Sequence, residues 1–317
     1  MLFLGKRAGQ AEVNLSGFAT PGVDPLAWAE EKNRPDPIAI SGRRMCANPE
    51  CVATWTAPWR SRKRPLFEGQ WGCSGRCVLA LVLAAIRRES VNASVYGVVR
   101  HQHRMPLGLL LLEQRWITQS QLQQALTIQR ERGGRIGEIL ISDCGVDPGY
   151  VMRGLGLQWN CPVLGSNGFS PVSMALVAPR ILIEETGMLP LRVAASRILY
   201  LGFEEGRDAS AALAIEQMTG LKVECGLMQA EEYRTTRDSL LECEGVESRE
   251  ESFGETDAMA ARITAILEQK QPVASRLVRI HHHYWLRLWL EASARGSQGN
   301  LPRSRDDMAD YVFAMSR

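Results

Sequence analysis

The chain has 317 residues, of which 45% are hydrophobic and 23% are charged, and its formal net charge at pH 7 is +2. This length and composition suit two or three domains with ordinary hydrophobic cores and exclude a wholly disordered chain. The nearly neutral charge argues against a strong whole-protein field for nucleic acid or acidic membranes. The longest apolar run, Cys77 to Ile86, is about half as long as a membrane span requires, and the N-terminus lacks a secretory signal pattern. We therefore expect a cytoplasmic protein without a membrane span.

The N-terminal part combines irregular composition with positive charge. Residues 1–42 contain several prolines and glycines and show no helical or alternating period, which predicts a flexible arm. Basic residues are densest at 60–64. Two interpretations of this run stay open: a solvated loop, or a contact with an anionic partner such as nucleic acid through residues 43–90.

Four of the eight cysteines form two pairs with short gaps, of four residues in the first pair and three in the second. Structural zinc requires four soft ligands in a tetrahedron, and two such pairs supply them. The second pair falls where a helix is predicted, at 74–89. The order of knuckle, hairpin and helix is similar to a treble-clef finger, so residues 43–90 are predicted to form a zinc module, with disulfides or free core thiols as the alternatives. The predicted zinc ligands are Cys46, Cys51, Cys73 and Cys77.

From 105 to 164 the apolar pattern is helical and repeats with a period of 29 residues. The positions that match between the two units are Leu122 with Val151, Leu126 with Leu155, and Gln129 with Gln158. Each unit is predicted to be a short helix, a turn and a longer helix, and the longer helices are expected at 120–132 and 148–159. Because neither unit can bury its apolar face alone, the two should pack together as a tandem helical repeat.

The remainder of the chain completes an α+β fold class. Residues 165–243 alternate short strands with helices and predict a small α+β subdomain. The acidic stretch at 244–254 predicts a linker, and 256–317 a C-terminal helical segment. The three histidines at 281–283 lie within that segment. Adjacent residues on a helix point about 100° apart, so they could not chelate one ion well, and we interpret the segment as a packing or partner-binding helix.

Four segments within residues 105–243, a little under half of the chain, occur in an informative order and spacing. They are Arg135-Ile-Gly-Glu-Ile-Leu-Ile, Gly156-Leu-Gln-Trp-Asn-Cys-Pro-Val, Gly187-Met-Leu-Pro-Leu and Met218-Thr-Gly-Leu-Lys-Val-Glu. This part of the chain resembles the N-terminal domain of type II secretion and type IV pilus assembly ATPases, the GspE/MshE N-terminal family. The resemblance implies a protein partner in secretion or pilus machinery.

The same resemblance implies a candidate nucleotide site, because some members of the family bind cyclic di-GMP through the tandem repeat. Their pattern opens each repeat with Arg-apolar-Gly and closes it with Gln, and an arginine can pair bidentately with guanine or phosphate. In the first repeat Pro106 stands where the arginine is expected. The alternative is that the arginine is a surface charge and the glutamines cap a packing face. The matching residues are Gly108, Gln129, Arg135, Gly137 and Gln158.

The phosphate loop of those ATPases, Gly-x4-Gly-Lys-Ser/Thr, is not found in the sequence, and only 74 residues follow position 243. We therefore expect a non-catalytic regulatory or adaptor protein that binds zinc and a protein partner, with cyclic di-GMP as a candidate ligand. The alternative is a zinc-dependent, nucleic-acid-binding regulator in which the secretion-type domain is the sensor.

Overall fold

The computed structural model describes residues 46–52, 66–97, 105–204, 206–291, 301 and 304–316, so the predicted arm and the basic run at 60–64 lie outside the described residues. The helices are α1 (Gly75–Gly97), α2 (Leu107–Glu113), α3 (Gln119–Arg132), α4 (Ile136–Ser142), α5 (Pro148–Trp159), α6 (Pro171–Met174), α7 (Arg180–Thr186), α8 (Ala209–Thr219), α9 (Ala230–Leu241) and α10 (Thr256–Lys270). The strands are β1 (Leu66–Phe67), β2 (Gln70–Trp71), β3 (Leu189–Ala194), β4 (Ile198–Phe203), β5 (Lys222–Leu227), β6 (Ser248–Phe253), β7 (Ala274–Ile280), β8 (His283–Trp289) and β9 (Met308–Met315). In this part of the chain no helix has the length and hydropathy to cross a membrane.

A four-stranded sheet with the order β6-β9-β8-β7 lies at the centre of the fold. Strand β6 runs parallel to β9, and the other neighbours are antiparallel. Both faces of this sheet are buried at β7, β8 and β9, because successive residues of these strands belong to two different cores, whereas no residue of β6 is fully buried. Val278 and Trp285 point into one core, while Leu277 and Leu286 point into the other.

Helices α1 and α10 cover one face of the central sheet. In α1, Val78, Val82 and Ile86 recur every four residues and are at most 1% exposed, which is the spacing of a single helix face. This helix continues through residue 97, beyond the predicted end at 89 and into the stretch 91–97 that was expected to be linker. Residue Phe67 of the β1–β2 hairpin joins the same core.

The other face of the central sheet packs against a smaller layer built around the three-stranded sheet β3-β4-β5. Here the prediction of alternating strands and helices is confirmed, and so is the α+β class of the fold. Helix α8 spans 209–219 and ends at Gly220, whose φ of 70° is favourable for glycine. Helix α9 spans 230–241, as predicted.

The predicted C-terminal helical segment is wrong beyond α10. Residues 274–280, 283–289 and 308–315 are strands of the central sheet. Because β7, β8 and β9 are buried on both faces, their apolar residues do not alternate with polar ones, and such runs also satisfy helical spacing. The stretch expected to be a linker at 244–254 contains β6, which pairs with β9.

The tandem repeat folds as predicted, with α2 and α3 in the first unit and α4 and α5 in the second. The two short helices begin 29 residues apart, at Leu107 and Ile136, and so do the two longer ones. Leu111 and Leu140 occupy equivalent positions and are both fully buried in the shared core. In contrast, Leu126 was expected on the packing face but is 38% exposed.

Candidate metal centre and tandem-repeat site

The first cysteine pair lies on a tight turn at residues 46–51. The backbone N–H of Cys51 donates to the carbonyl of Asn48 over 3.1 Å, which closes the turn. Asparagine followed by proline favours such a turn, because the side chain and the fixed ring both restrict the backbone. The N–H of Ala47 donates to the carbonyl of Trp71 over 2.9 Å and thereby attaches this turn to β2.

The second pair is positioned by the β1–β2 hairpin and the start of α1. Glu68 and Gly69 turn the hairpin with φ values of 50° and 76°, the left-handed region that two-residue hairpin loops require. Cys73 follows β2, and Cys77 lies in the first turn of α1. The hydroxyl of Ser74 accepts a hydrogen bond from the N–H of Cys77 over 3.3 Å, as a helix-capping serine does.

The two pairs come together in one cluster. The four sulfur atoms all lie within 4.8 Å of one another. The distance from Cys51 Sγ to Cys73 Sγ is 3.4 Å, and from Cys73 Sγ to Cys77 Sγ it is 3.6 Å. Four sulfurs about 2.3 Å from a tetrahedral zinc ion lie about 3.8 Å apart, whereas a disulfide bond is about 2.05 Å long. The four predicted ligands are therefore separate thiols, and their cluster could hold a metal ion.

Local hydrogen bonding makes these thiols unequal. Burial raises the pKa of Cys73 to about 12, and the neighbouring cysteine thiols act in the same direction. Burial also opposes ionisation of Cys77, but hydrogen bonds from Ser74, Asn48 and the other thiols outweigh it and lower its pKa to about 6. The Asn48 side-chain amide lies 3.4 Å from Cys77 Sγ. Because a metal binds thiolates, its binding has to release protons from the thiols with the higher pKa values, which are still protonated at neutral pH.

The cysteine cluster is attached to the central sheet through the hairpin turn. The Glu68 carboxylate accepts two hydrogen bonds from Arg88 of α1, of 2.7 and 3.1 Å. It also accepts one from the N–H of Leu277 in β7 over 3.0 Å. In the same strand, Ser275 Oγ accepts from the N–H of Glu68 over 3.1 Å. The cysteine cluster and the C-terminal strands therefore belong to one structural unit.

The two glutamines of the predicted nucleotide site bond across the repeat. Gln129 Nε2 donates to the carbonyl of Gly134 over 2.9 Å, and Gln158 Nε2 donates to the carbonyl of Met105 over 2.8 Å. Met105 and Gly134 are themselves 29 residues apart, one repeat period. Each glutamine thus bonds to the opening residue of the other repeat, which supports the alternative in which the glutamines serve packing.

The two glycines and the arginine of that site have different surroundings. A Cβ atom on Gly108 would lie 2.5 Å from Leu122 Cδ1, and one on Gly137 would lie 3.1 Å from Val151 Cγ1. Close packing between helices of the repeat therefore requires small residues here. Arg135 lies at the N-cap of α4, and its side chain is 56% exposed. Nucleotide binding by these residues stays a prediction.

A second group of metal-ligating side chains was missed from the sequence. Glu185, His282 and His283 each offer a ligand atom, and these atoms lie within 4.8 Å of one another. The interpretation of the histidines as part of a helix hid this group. In the structure they lie at the two-residue turn between β7 and β8, because Ile280 pairs directly with His283. The signal that could have found them is the strand character of the apolar runs on both sides of the turn.

Comparison with known proteins gives a partial resemblance. No family model matches the chain, and neither does any curated protein. The solved structure of MshE with c-di-GMP matches 43% of this chain and 98% of its own length, with 23% identity and a TM-score of 0.35. The solved N-terminal domain of XpsE matches 42% of this chain and 92% of its own length, with 15% identity and a TM-score of 0.29. The comparison thus finds the resemblance that the sequence motifs predicted.

Proposed function

We propose that this chain is a cytoplasmic, non-catalytic regulatory or adaptor protein, in which a structural zinc ion stabilises the central sheet domain and the tandem repeat binds a protein partner of secretion or pilus type. The four-thiol cluster is the observation that carries this proposal. Structural zinc sites have four protein ligands, whereas catalytic sites keep one position open for water or substrate. Four cysteines leave no such position, so the metal would act on stability.

The surroundings of the cluster support zinc as its occupant. Thiolates are soft ligands, and the tetrahedral spacing of the sulfurs suits a four-coordinate ion. When bound, zinc would cross-link the first turn to β2 and to α1. The N–H of Cys73 already donates to Cys46 Sγ over 3.4 Å, and the Asn48 amide donates to Cys77 Sγ. Such N–H donors to ligand atoms orient a metal site and partly neutralise its charge.

Exposed apolar side chains support the tandem repeat as the surface for a protein partner. Met105, Leu109 and Leu157 are each more than half exposed, and Leu126 and Tyr150 are more than a third exposed. All five belong to the repeat, and Val163 at its C-terminal end is 45% exposed as well. A contiguous apolar patch is typical of regions that bind other proteins, and we propose that these side chains form one.

Binding of cyclic di-GMP to the tandem repeat should depend on Arg135. We expect Arg135→Ala to weaken binding by roughly tenfold or more, because a charge-assisted hydrogen bond is lost. Pro106→Arg should strengthen binding, since it restores the arginine of the first repeat. Pro106 has φ −54° and ψ 137°, and Arg135 has φ −91° and ψ 131°, so an arginine can adopt the backbone at 106. Titration calorimetry with cyclic di-GMP measures both effects.

The control for this titration is Arg180→Ala, which removes an exposed arginine outside the repeat and should leave the affinity unchanged. If neither the unaltered chain nor Pro106→Arg binds at concentrations on the order of tens of micromolar, the repeat is a scaffold. A protein partner is then the favoured ligand, and a pull-down from native lysate with the intact repeat as bait is the next measurement.

We expect ATP hydrolysis at the background rate, because the sequence has no phosphate loop that could hold the β- and γ-phosphates. A coupled phosphate-release assay on purified chain tests this. Turnover that copurifies with the chain through two further chromatographic steps would contradict the non-catalytic assignment.

The alternative function is nucleic-acid binding by residues 43–90, for which the basic residues at 60–64 are the sequence feature. Binding of that kind is strongly salt-dependent, because the phosphates release counterions. A DNA mobility shift that falls steeply with salt and disappears on chelation of the metal would favour this alternative over the adaptor role.

A further inference from the structure

The histidine turn between β7 and β8 lies against helix α7, which leads into the smaller α+β layer. Glu185 is the second-last residue of α7, and His283 is the first residue of β8. The His283 side chain is 6% exposed and that of Glu185 is 38% exposed, so the pair reaches from the interior to the surface. The group therefore joins two parts of the fold that are far apart in sequence.

The ligand atoms of this group have the spacing of a metal site. His283 Nδ1 lies 2.8 Å from Glu185 Oε2. The rings of His282 and His283 have their centroids 3.9 Å apart, which brings a third ligand atom within 4.8 Å of the other two. Ligand atoms about 2.1 Å from one ion and roughly a right angle apart lie about 3.0 Å from each other. The distance of 2.8 Å between His283 Nδ1 and Glu185 Oε2 is close to that value, and the ligand atom of His282 lies within 4.8 Å of both.

The turn that carries the histidines is held in place by several hydrogen bonds. His281 has a φ of 52°, which is uncommon for a residue other than glycine. Its ring nitrogen lies 2.5 Å from Asp208 Oδ2, and Asp208 also caps helix α8. Arg279 Nε donates to the His281 carbonyl over 2.8 Å, and the N–H of Met315 donates to the His282 carbonyl over 3.3 Å. These contacts preorganise the two histidines that follow.

A simple hydrogen bond or ion pair explains the contact between His283 and Glu185. Neither of these explains the position of the His282 ring. His282 is an exposed turn residue whose ring could extend into solvent. Instead the ring packs beside that of His283, so that two imidazoles and one carboxylate converge. A bound cation accounts for all three positions, because it is attracted to the carboxylate and coordinated by both rings.

We propose that Glu185, His282 and His283 form a second metal site, which binds a divalent transition-metal ion such as Zn²⁺ or Ni²⁺. Imidazole nitrogens with one carboxylate suit these ions, whereas Mg²⁺ and Ca²⁺ prefer oxygen ligands alone. Three protein ligands leave at least one coordination position open, in contrast to the four-thiol cluster. An ion here cross-links α7 to the β7–β8 turn and presents its open position at the surface.

The test is a calorimetric titration of Ni²⁺ into the full chain after its four-thiol cluster has been loaded with zinc. We expect one Ni²⁺ to bind per chain in addition to the zinc. Glu185→Ala and His282→Ala each remove one ligand and should weaken this binding tenfold or more. Both residues are on the surface, so both variants should keep the melting temperature of the parent chain within a few degrees.

Glu184→Ala is the matched control, because Glu184 is the neighbouring glutamate on the same helix and pairs with Arg180 over 2.9 Å instead. It should bind Ni²⁺ with the affinity of the parent chain, and zinc content measured afterwards should remain at one per chain. The proposal is overturned if the zinc-loaded chain binds no Ni²⁺. It is equally overturned if all three variants bind Ni²⁺ alike, since the ion then lies on other histidines or in the four-thiol cluster.

Discussion

Cys73→Ser is expected to abolish zinc binding by the four-thiol cluster and to destabilise the central sheet together with the cysteine turns. A structural zinc ion contributes on the order of 10 kcal/mol to folding, which is comparable to the whole stability of a typical domain. Cys73 Sγ lies 3.4 Å from Cys51 Sγ and 3.6 Å from Cys77 Sγ, so the serine variant loses one of the four thiol ligands. Metal analysis combined with denaturant unfolding measures both effects.

The control is Cys243→Ser, which alters a half-buried cysteine outside the cluster. It should keep about one zinc per chain and change the free energy of unfolding by only about 1 kcal/mol. The proposal of a structural zinc ion is contradicted if the freshly reduced parent chain contains no zinc and still unfolds cooperatively.

Asp310→Ala is expected to cost about 3–5 kcal/mol, because it leaves a buried arginine charge without its partner. Arg287 and Asp310 face each other on β8 and β9, and their side chains are at most 1% exposed. Arg287 donates to both carboxylate oxygens over 2.8 and 2.7 Å, and Trp285 Nε1 donates to one of them over 3.0 Å. Arg287 Nη1 also donates to the carbonyl of Val177 over 3.1 Å. Chemical denaturation of the zinc-loaded chain measures the loss.

Two further variants separate this cause from simple loss of packing. Arg287→Met combined with Asp310→Leu removes both charges and should recover much of the stability, since an apolar replacement of a buried ion pair is often neutral. Glu184→Ala breaks an exposed ion pair and should change the free energy of unfolding by less than about 1 kcal/mol. A double variant as unstable as Asp310→Ala would contradict the explanation by an unpaired charge.

Where local chemistry determines an element, the sequence was sufficient to predict it. The second long repeat helix begins at Pro148 after Asp147, whose side chain accepts from the N–H of Gly149, and these cap residues could be recognised in the sequence. The cysteine cluster was predictable for a similar reason, since short gaps between ligands are a local signal. The two ligands within each cysteine pair, like Asp147 and Gly149, lie close to one another in the chain.

The contacts that the sequence did not predict join residues that are distant from each other in the chain. Strand β6 is an outer strand that pairs with β9, and no local feature of 248–253 indicates that partner. No local feature marks Arg287 and Asp310 as partners, because only the folded sheet brings them together and buries them. Likewise, Glu185 meets His282 and His283 only through packing of α7 against the β7–β8 turn. The three adjacent histidines were the only local indication of a metal site here, and interpreting them as part of a helix argued against one.

The shared core of α1, α10 and the central sheet makes residues 105–243 an insertion between two halves of one domain. During synthesis, α1 is complete about 150 residues before β6 begins. At about 5–20 residues per second, its apolar face waits roughly 8 to 30 s before the first strand of the central sheet begins to be synthesised. All four cysteines precede that interval, so the zinc ion that we propose would close the cysteine turns on the ribosome and keep this half of the domain ordered until the other half is synthesised.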